Sequence, residues 1–170
     1  MSVIDRDRGW GDLKRLADKL KEAPTVKVGY LSDRHEERKP SPGEKGEPPT
    51  NLKVAAWMEL GTRRAPPRPF LSSTFDAKRE EYRALVEQLT RAILAGKLTP
   101  ERALGLIGAK VSADVKNRVT TGAQIPPPNA PSTLARKRAK GEGDPRTLVD
   151  TGQMVGALTW ALDKGGGGDE

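Results

Sequence analysis

The sequence predicts a small α+β fold with an antiparallel sheet of two to four strands, three main helices and long extended loops. Apolar residues recur at helical spacing over residues 52–60, 72–95 and 100–119. Two short β-prone stretches, residues 25–31 and 157–162, can pair with each other as strands. The chain also holds 18 glycines and 14 prolines, and their clusters between these elements predict the extended loops.

The composition indicates one modest domain that finishes its burial against other subunits. A chain of 170 residues is enough for a single domain of ordinary size. Hydrophobic residues make up only 35% of it and charged residues 31%, with three Trp, two Tyr and two Phe, so the core must be small and largely aliphatic. We therefore expect one domain over residues 1–164 and a disordered glycine-rich tail at residues 165–170.

The N-terminal part of the chain is predicted to hold a helix, a strand and a loop. An amphipathic helix is expected over residues 10–22, and Pro24 ends it. The strand at residues 25–31 follows. Residues 32–50 are charged, rich in proline and glycine and without periodicity, which predicts a long mobile loop.

The helix predicted at residues 52–60 has recognisable ends. Asn51 can cap its start, and Gly61 suits the left-handed position just past its end. Its apolar residues are expected to form a buried side and are Val54, Ala55, Trp57, Met58 and Leu60.

Residues 61–69 form a proline-braced connection, here called the elbow, between this helix and the next. Pro66, Pro67 and Pro69 hold the backbone extended because each fixes its own φ angle. The residues expected to anchor the two helices around the elbow are Trp57, Gly61, Phe70 and Leu71. The alternative for Trp57, Phe70 and Leu71 is a place in the ordinary core of a monomer.

Two long helices follow the elbow. The first is predicted to begin at Ser72 or Ser73 and to run to about Ala95, with one face made of Phe75, Tyr82, Leu85, Val86, Leu89, Ile93 and Leu94. The second begins with Thr99 as cap and Pro100 at the first helical position, and runs to about residue 119. Its predicted buried residues are Ala103, Leu104, Ile107, Val111 and Val115, and Gly105 and Gly108 would allow close packing.

The C-terminal part is predicted to be an arm, a helical turn and a strand. Residues 122–147 form an extended arm with four prolines, interrupted by a short basic helix from Ser132 to Lys140. Asp150 or Thr151 can cap a helical turn. Asp150 and Gly152 are the expected structural positions of that turn, and the strand at residues 157–162 completes the sheet.

Several kinds of chemistry find no support in the sequence. The chain has no cysteine, which excludes thiolate metal sites, and its one histidine, His35, lies in the charged loop, which argues against a histidine metal site or a serine–histidine triad within one copy. It has neither a phosphate-binding loop nor a dinucleotide fingerprint. The acidic pairs Glu36–Glu37 and Glu80–Glu81 are interpreted as solvated charge. We predict no catalytic, cofactor or metal site, and no membrane span, because no apolar run reaches about 18 residues.

The charge of the chain favours an anionic or acidic partner. Its net charge is +7 and its pI about 9.8. Two basic groups are predicted to contact partners; they are Arg63, Arg64 and Arg68 with Pro66 and Pro67 of the elbow, and Arg136, Lys137, Arg138 and Lys140 of the arm. Three interpretations of these basic groups remain open. They contact acidic protein partners, they contact the DNA backbone, or they form a solvated surface without a specific role. Neither group includes an aromatic residue for base stacking, so DNA contact would be limited to phosphates.

Four motifs occur in an order that resembles a known family. They are Glu59-Leu60-Gly61-Thr62, Pro67-Arg68-Pro69-Phe70-Leu71, Ser132-Thr133-Leu134-Ala135-Arg136-Lys137, and Leu148-Val149-Asp150-Thr151-Gly152-Gln153-Met154. Over residues 10–162 the chain resembles the tail-completion, or neck, proteins of long-tailed bacteriophages, a group also described as virion morphogenesis or minor tail protein Z-like. The chain departs from the pattern at Thr147, where the family has proline.

The resemblance implies a structural virion protein without enzymatic activity. Such a protein is assembled in the bacterial cytoplasm as a ring of about six copies, completes the head-proximal end of the tail and joins it to the head-side connector. DNA passes through the lumen of the ring and can be contacted there. No cofactor, membrane or small-molecule substrate is implied. The alternatives are a tail terminator that caps the tail tube, and a non-enzymatic module that binds the DNA backbone. A hydrolase or nuclease is the third class of function, and it has the least support because the chain lacks cysteine and shows no ordered acidic cluster.

Overall fold

The computed structural model describes residues 24–31, 46–121, 125–139 and 152–163, together with the single residues 14, 39, 141 and 148. The described residues form two strands and six helices. The strands are β1 (Thr25–Gly29) and β2 (Thr159–Asp163), and the helices are α1 (Asn51–Leu60), α2 (Phe70–Ala77), α3 (Arg79–Leu94), α4 (Pro100–Thr120), α5 (Pro131–Ala139) and α6 (Gln153–Ala157). The predicted α+β class is confirmed. The predicted helix at residues 10–22, most of the 32–50 loop and the tail at 165–170 lie outside the described residues.

The sheet pairs the two strands that the sequence indicated. β1 and β2 are antiparallel, with Val28 opposite Trp160 and Thr25 opposite Asp163. The Nζ atom of Lys27 lies 2.7 Å from Asp163 Oδ2, which ties the two strands together at one end. The predicted second strand begins two residues too early, because Ala157 still belongs to α6 and the buried Leu158 links that helix to β2.

Helix α4 is the centre of the described fold. It contacts both strands and also α2, α3 and α6. A Cβ atom at Gly108 would lie 2.8 Å from Val26 Cγ2 and 2.9 Å from the Trp160 ring, so only glycine allows the helix to approach the sheet this closely. The predicted start of α4 is confirmed, since the Thr99 hydroxyl accepts a hydrogen bond from the Arg102 N–H at 3.3 Å and Pro100 is the first helical residue.

The main hydrophobic core joins α1, α2, α4 and α6. Its buried members are Ala55, Phe70, Val115, Val119, Ile125, Met154 and Leu158. Ile125 is 3% exposed and brings the start of the arm into this core. Phe70 and Val115 are 1% and 0% exposed, and Leu158, just before β2, is also 1% exposed.

Two predictions for α1 are wrong. Its cap is Thr50, whose hydroxyl accepts from the Lys53 N–H at 3.2 Å, while Asn51 lies inside the helix and is buried. Its inward side is built on Asn51 and Ala55, with Val54 and Met58 partly buried. Trp57 and Leu60 lie on another row of the helix and are 46% and 78% exposed, so they do not belong to the buried side.

The single helix predicted at residues 72–95 is in fact two helices, α2 and α3. The first begins at Phe70, two residues before the predicted start, and the second begins at Arg79. Lys78 leaves helical geometry with φ −111° and ψ 13°, although its N–H still donates to the Thr74 carbonyl at 3.0 Å. The predicted apolar face is covered only in part, because α4 packs along one side of α3. Phe75, Val86 and Leu94 are 42%, 46% and 66% exposed.

A charged network fastens α3 to α4. Lys110 Nζ lies 2.6 Å from Glu81 Oε1 and 2.8 Å from Asp114 Oδ2, and Lys78 Nζ lies 2.8 Å from Glu81 Oε2. Hydrogen bonds from Lys110 and Lys78 lower the pKa of the Glu81 carboxyl to about 2. Burial and the neighbouring Asp114 carboxylate raise the pKa of the Tyr82 phenol to about 12. Glu81 is therefore charged at every physiological pH.

The described part of the arm is non-helical at residues 125–130 and helical in α5. The bond between Pro126 and Pro127 is cis. Helix α5 begins at Pro131, one residue before the predicted Ser132, and the Ala130 carbonyl accepts the N–H groups of Thr133 and Leu134 at 2.9 and 3.0 Å. Proline suits this first position because its missing N–H would have no partner there.

Candidate interaction surface

The elbow folds back on the end of α1. Gly61 adopts φ 79° and ψ 176°, a backbone conformation that glycine alone adopts readily. A Cβ atom at this position would lie 2.8 Å from the Pro67 backbone nitrogen. The Arg68 N–H donates to the Met58 carbonyl at 2.6 Å, so the far end of the elbow is held against the helix that precedes it.

The tip of the elbow is a tight turn closed by four hydrogen bonds. The Thr62 N–H donates to the Ala65 carbonyl at 2.8 Å, and the Ala65 N–H donates back to the Thr62 carbonyl at 3.3 Å. The Thr62 hydroxyl also accepts from the N–H groups of Arg64 and Ala65, at 3.2 and 3.0 Å. Arg63 and Arg64 are the two central residues of this turn, which presents both of them at its apex.

Charged and apolar side chains are exposed together around this tip. Arg63 and Arg64 are exposed and make no ion pair with any residue that the structure describes. A shallow concavity runs along residues 60–67 beside them. Leu60 and Trp57, two of the three large apolar residues that are exposed on α1, lie one and two turns before the tip. This combination of arginine and exposed apolar side chains is typical of protein–protein contact surfaces.

Arg68 has a different position from the other two arginines. Its Nε donates to the Pro127 carbonyl at 2.9 Å and its Nη2 to the Pro128 carbonyl at 3.3 Å. The side chain is only partly exposed. Its guanidinium therefore fastens the arm to the elbow, and Arg68 is not part of the exposed arginine group that we predicted as a partner contact.

Glu59 is a structural residue that the sequence reading missed. Its carboxylate accepts the N–H groups of Leu71 and Ser72 at 2.9 and 3.0 Å and the Ser72 hydroxyl at 2.7 Å. Pro69 precedes α2 and makes no side-chain cap hydrogen bond, so the last turn of α1 caps the first turn of α2. Burial raises the pKa of the nearby Tyr30 phenol, and the charge of Glu59 adds to that effect. The sequence did contain a signal for this contact. Helix α2 follows Pro69, which has no side chain that can cap, so its first N–H groups need an acceptor from elsewhere.

Replacement of Glu59 with alanine should lower the free energy of unfolding by about 1–2 kcal/mol, because two N–H groups lose a charged acceptor. Chemical denaturation of the wild type and the variant measures the difference. Glu87→Ala is the matched control, since Glu87 lies on the exposed face of α3, 3.7 Å from Arg91, and its loss should cost less than about 0.5 kcal/mol. Equal losses in the two variants would contradict a capping role for Glu59.

The second predicted basic group is divided by the structure. Arg136 and Arg138 are exposed on α5, whereas Lys137 is buried at 7% exposure and is not offered to a partner. This division follows from helical geometry, because successive residues are rotated around the helix axis. Lys137 points inward, so Arg136 and Arg138 point to the two flanks of the helix. Lys140 lies outside the described residues.

The predicted anchors also differ in their surroundings. Phe70 is fully buried, and Leu71 packs against the same core and donates its N–H to Glu59. Trp57 does not pack into that core, because its side of α1 faces outward. Gly152 precedes α6 in a left-handed conformation, φ 73° and ψ −5°. Asp150 lies outside the described residues.

No described helix is long and apolar enough to cross a membrane. Among the described residues, no three His, Cys, Asp or Glu side chains gather as a metal site would require. Comparison with protein-family models, curated proteins and solved structures found no match for the chain. The family resemblance of the four motifs therefore stays a prediction.

Proposed function

We propose that this chain is a non-enzymatic structural subunit of a bacteriophage neck. In this role it completes the head-proximal end of the tail, joins it to the head-side connector and acts as one subunit of a homo-oligomeric ring in the virion. The observation that carries the proposal is the elbow tip, where a hydrogen-bonded turn presents Arg63 and Arg64 next to the exposed Leu60, with the exposed Trp57 one helical turn further back on α1.

A preformed projection suits a ring subunit. Closed rings are built by head-to-tail contacts in which one surface of each copy meets a different surface of the next. A loop that is already ordered loses little conformational freedom on binding, so more of its contact energy appears as affinity. Arginine and tryptophan are also the residue types that contribute most at such contacts. The elbow supplies an ordered turn with two exposed arginines, and the neighbouring helix α1 supplies the exposed Trp57.

Two of the four motifs that carry the family resemblance contain the residues that build the elbow. Glu59 caps α2, Gly61 allows the backbone to turn, and Arg68 holds the arm. Phe70 fixes α2 in the core. These two motifs therefore both hold the elbow in place, as a docking element typical of the family would require. They are Glu59-Leu60-Gly61-Thr62 and Pro67-Arg68-Pro69-Phe70-Leu71.

The charge-reversed variant Arg63→Glu/Arg64→Glu tests the proposal. Both side chains are exposed on a turn held by backbone groups, so the variant should fold with unchanged stability. In lysates of the phage or prophage that encodes the chain, it should lower the number of tail-joined heads at least about tenfold, as expected for the loss of more than 1.4 kcal/mol of contact energy. Electron microscopy counts joined particles, free heads and free tails.

Lys97→Glu/Arg102→Glu is the matched control, because it makes the same change of charge at exposed positions around the α3–α4 connection. It should leave the particle yield unchanged. Wild-type yield from the elbow variant, or absence of the chain from purified virions, would refute the proposal.

A further inference from the structure

Helix α5 has an inward and an outward side that its burial pattern defines. Lys137 is buried, and Thr133 and Leu134 are partly exposed, so these three residues face the protein. The opposite side is formed by exposed small residues, which are Ser132, Ala135 and Ala139. The outward surface of α5 is consequently a low ridge without any large side chain.

Two arginines border this ridge. Successive helical residues are rotated by about 100°, so Arg136 and Arg138 point to opposite flanks of the helix on either side of the inward Lys137. Both are exposed, and neither makes an ion pair with a residue in the described ranges. The helix contains no acidic residue. One positive charge therefore lies along each side of the small-residue ridge.

The position of α5 on the protein is fixed by the residues before it. Ile125 is buried in the core, and the Arg68 side chain binds the carbonyls of Pro127 and Pro128. Only two residues, Asn129 and Ala130, lie between Pro128 and the first residue of α5. The ridge and its two arginines are thus presented by an anchored segment.

We propose that α5 binds duplex DNA by lying in the major groove, with Arg136 and Arg138 on the phosphates of the two opposite strands. The major groove of B-form DNA is about 12 Å wide, and a helix with its side chains is about 10–12 Å across. Small residues on the outward side allow the helix to enter, and the arginines at its flanks reach the groove walls. This inference goes beyond the proposed function and holds whether or not the chain forms a ring.

The same surface is poorly suited to other partners. Protein interfaces depend on large aromatic or aliphatic anchors in fitted pockets, and the ridge of α5 has none. The major groove of duplex RNA is too deep and narrow for side chains to use. The alanines of the ridge make no hydrogen bonds to base edges, and the Ser132 hydroxyl can donate or accept, so binding should show little sequence preference.

Fluorescence anisotropy with a random-sequence DNA duplex, from about 50 to 200 mM salt, tests the proposal. Arg136→Ala/Arg138→Ala should lower affinity at least about tenfold and reduce the slope of log K against log salt by about 2, since each lost phosphate contact removes about 0.9. The control variant Arg63→Ala/Arg64→Ala has the same net charge as the α5 variant. Its slope of log K against log salt should differ from the wild-type slope by no more than about 0.5, which is less than one phosphate contact. Circular dichroism establishes that each variant is folded.

Ala135→Leu provides a second test that leaves the charge unchanged. The larger side chain should hold the helix out of the groove and weaken binding several-fold, whereas Ala113→Leu on the exposed side of α4 should have no effect. Duplex RNA should compete weakly. The proposal is overturned if wild-type protein does not bind DNA at low salt, if both arginine pairs contribute equally, or if RNA binds as tightly as DNA. It is also overturned if the α5 variants disturb only protein assembly.

Discussion

Replacement of Gly61 with alanine should lower the free energy of unfolding by about 3 kcal/mol, measured by chemical denaturation. Two separate costs add at this position. The backbone angles of φ 79° and ψ 176° lie in a region that residues with a Cβ atom rarely enter. The new methyl group would also lie 2.8 Å from the Pro67 nitrogen and 3.1 Å from the Ala65 carbonyl oxygen. Both contacts are with backbone, which cannot turn aside as a side chain can.

Gly96→Ala separates these two costs. Gly96 also has a positive φ, 69°, but its Cβ atom would meet nothing within 4 Å. That variant should lose only about 1 kcal/mol, the ordinary cost of a left-handed alanine. Equal losses at the two glycines would show that Pro67 moves aside freely, and the elbow would then not be the stiff element that the proposed function needs.

The parts of the fold that the sequence predicted are those encoded by neighbouring residues. Thr99 and Pro100 define the start of α4 within two positions, because a cap and a first-turn proline act locally. The β-prone residues 25–31 likewise predict a strand from their own composition, and the structure has this strand at Thr25–Gly29. Gly108 was predicted to permit close packing, and its contact with Val26 and Trp160 confirms this.

The parts that were wrong depend on which neighbour covers a surface. Helix α1 carries two overlapping apolar rows, one with Val54 and Met58 and one with Trp57 and Leu60. The sequence pattern contains both and does not distinguish them. The core lies against the first row, and Trp57 is therefore half exposed. The long apolar face predicted for residues 72–95 was overestimated for the same reason.

The candidate site shows the same limit. Arg63, Arg64 and Arg68 look equivalent in the sequence, but Arg68 binds carbonyls that are 59 and 60 positions away. No local pattern indicates a contact at that separation. Glu59 was overlooked because it lies on one helix and caps another. In both cases a charged side chain that resembled surface charge is part of the support beneath the exposed tip.

Replacement of Phe70 with alanine should have the largest effect of any substitution considered, a loss of about 3–5 kcal/mol in the free energy of unfolding. The ring is 1% exposed and belongs to the core that α1, α2, α4 and α6 share. Removing it takes away the transfer energy of a large apolar side chain and leaves a cavity that the surrounding helices can fill only in part. Thermal or chemical denaturation measures the loss.

Phe75→Ala is the matched control for this prediction. Phe75 is the same residue type on the same helix, but it is 42% exposed and packs edge-to-face with the Tyr82 ring. Its truncation should cost about 1 kcal/mol or less, since little cavity forms and much of the ring is already in water. A loss at Phe70 no larger than at Phe75 would mean that α2 is not held by the core. Phe70 directly follows the elbow, so the orientation of the Arg63–Arg64 tip, and with it the proposed partner contact, depends on that packing.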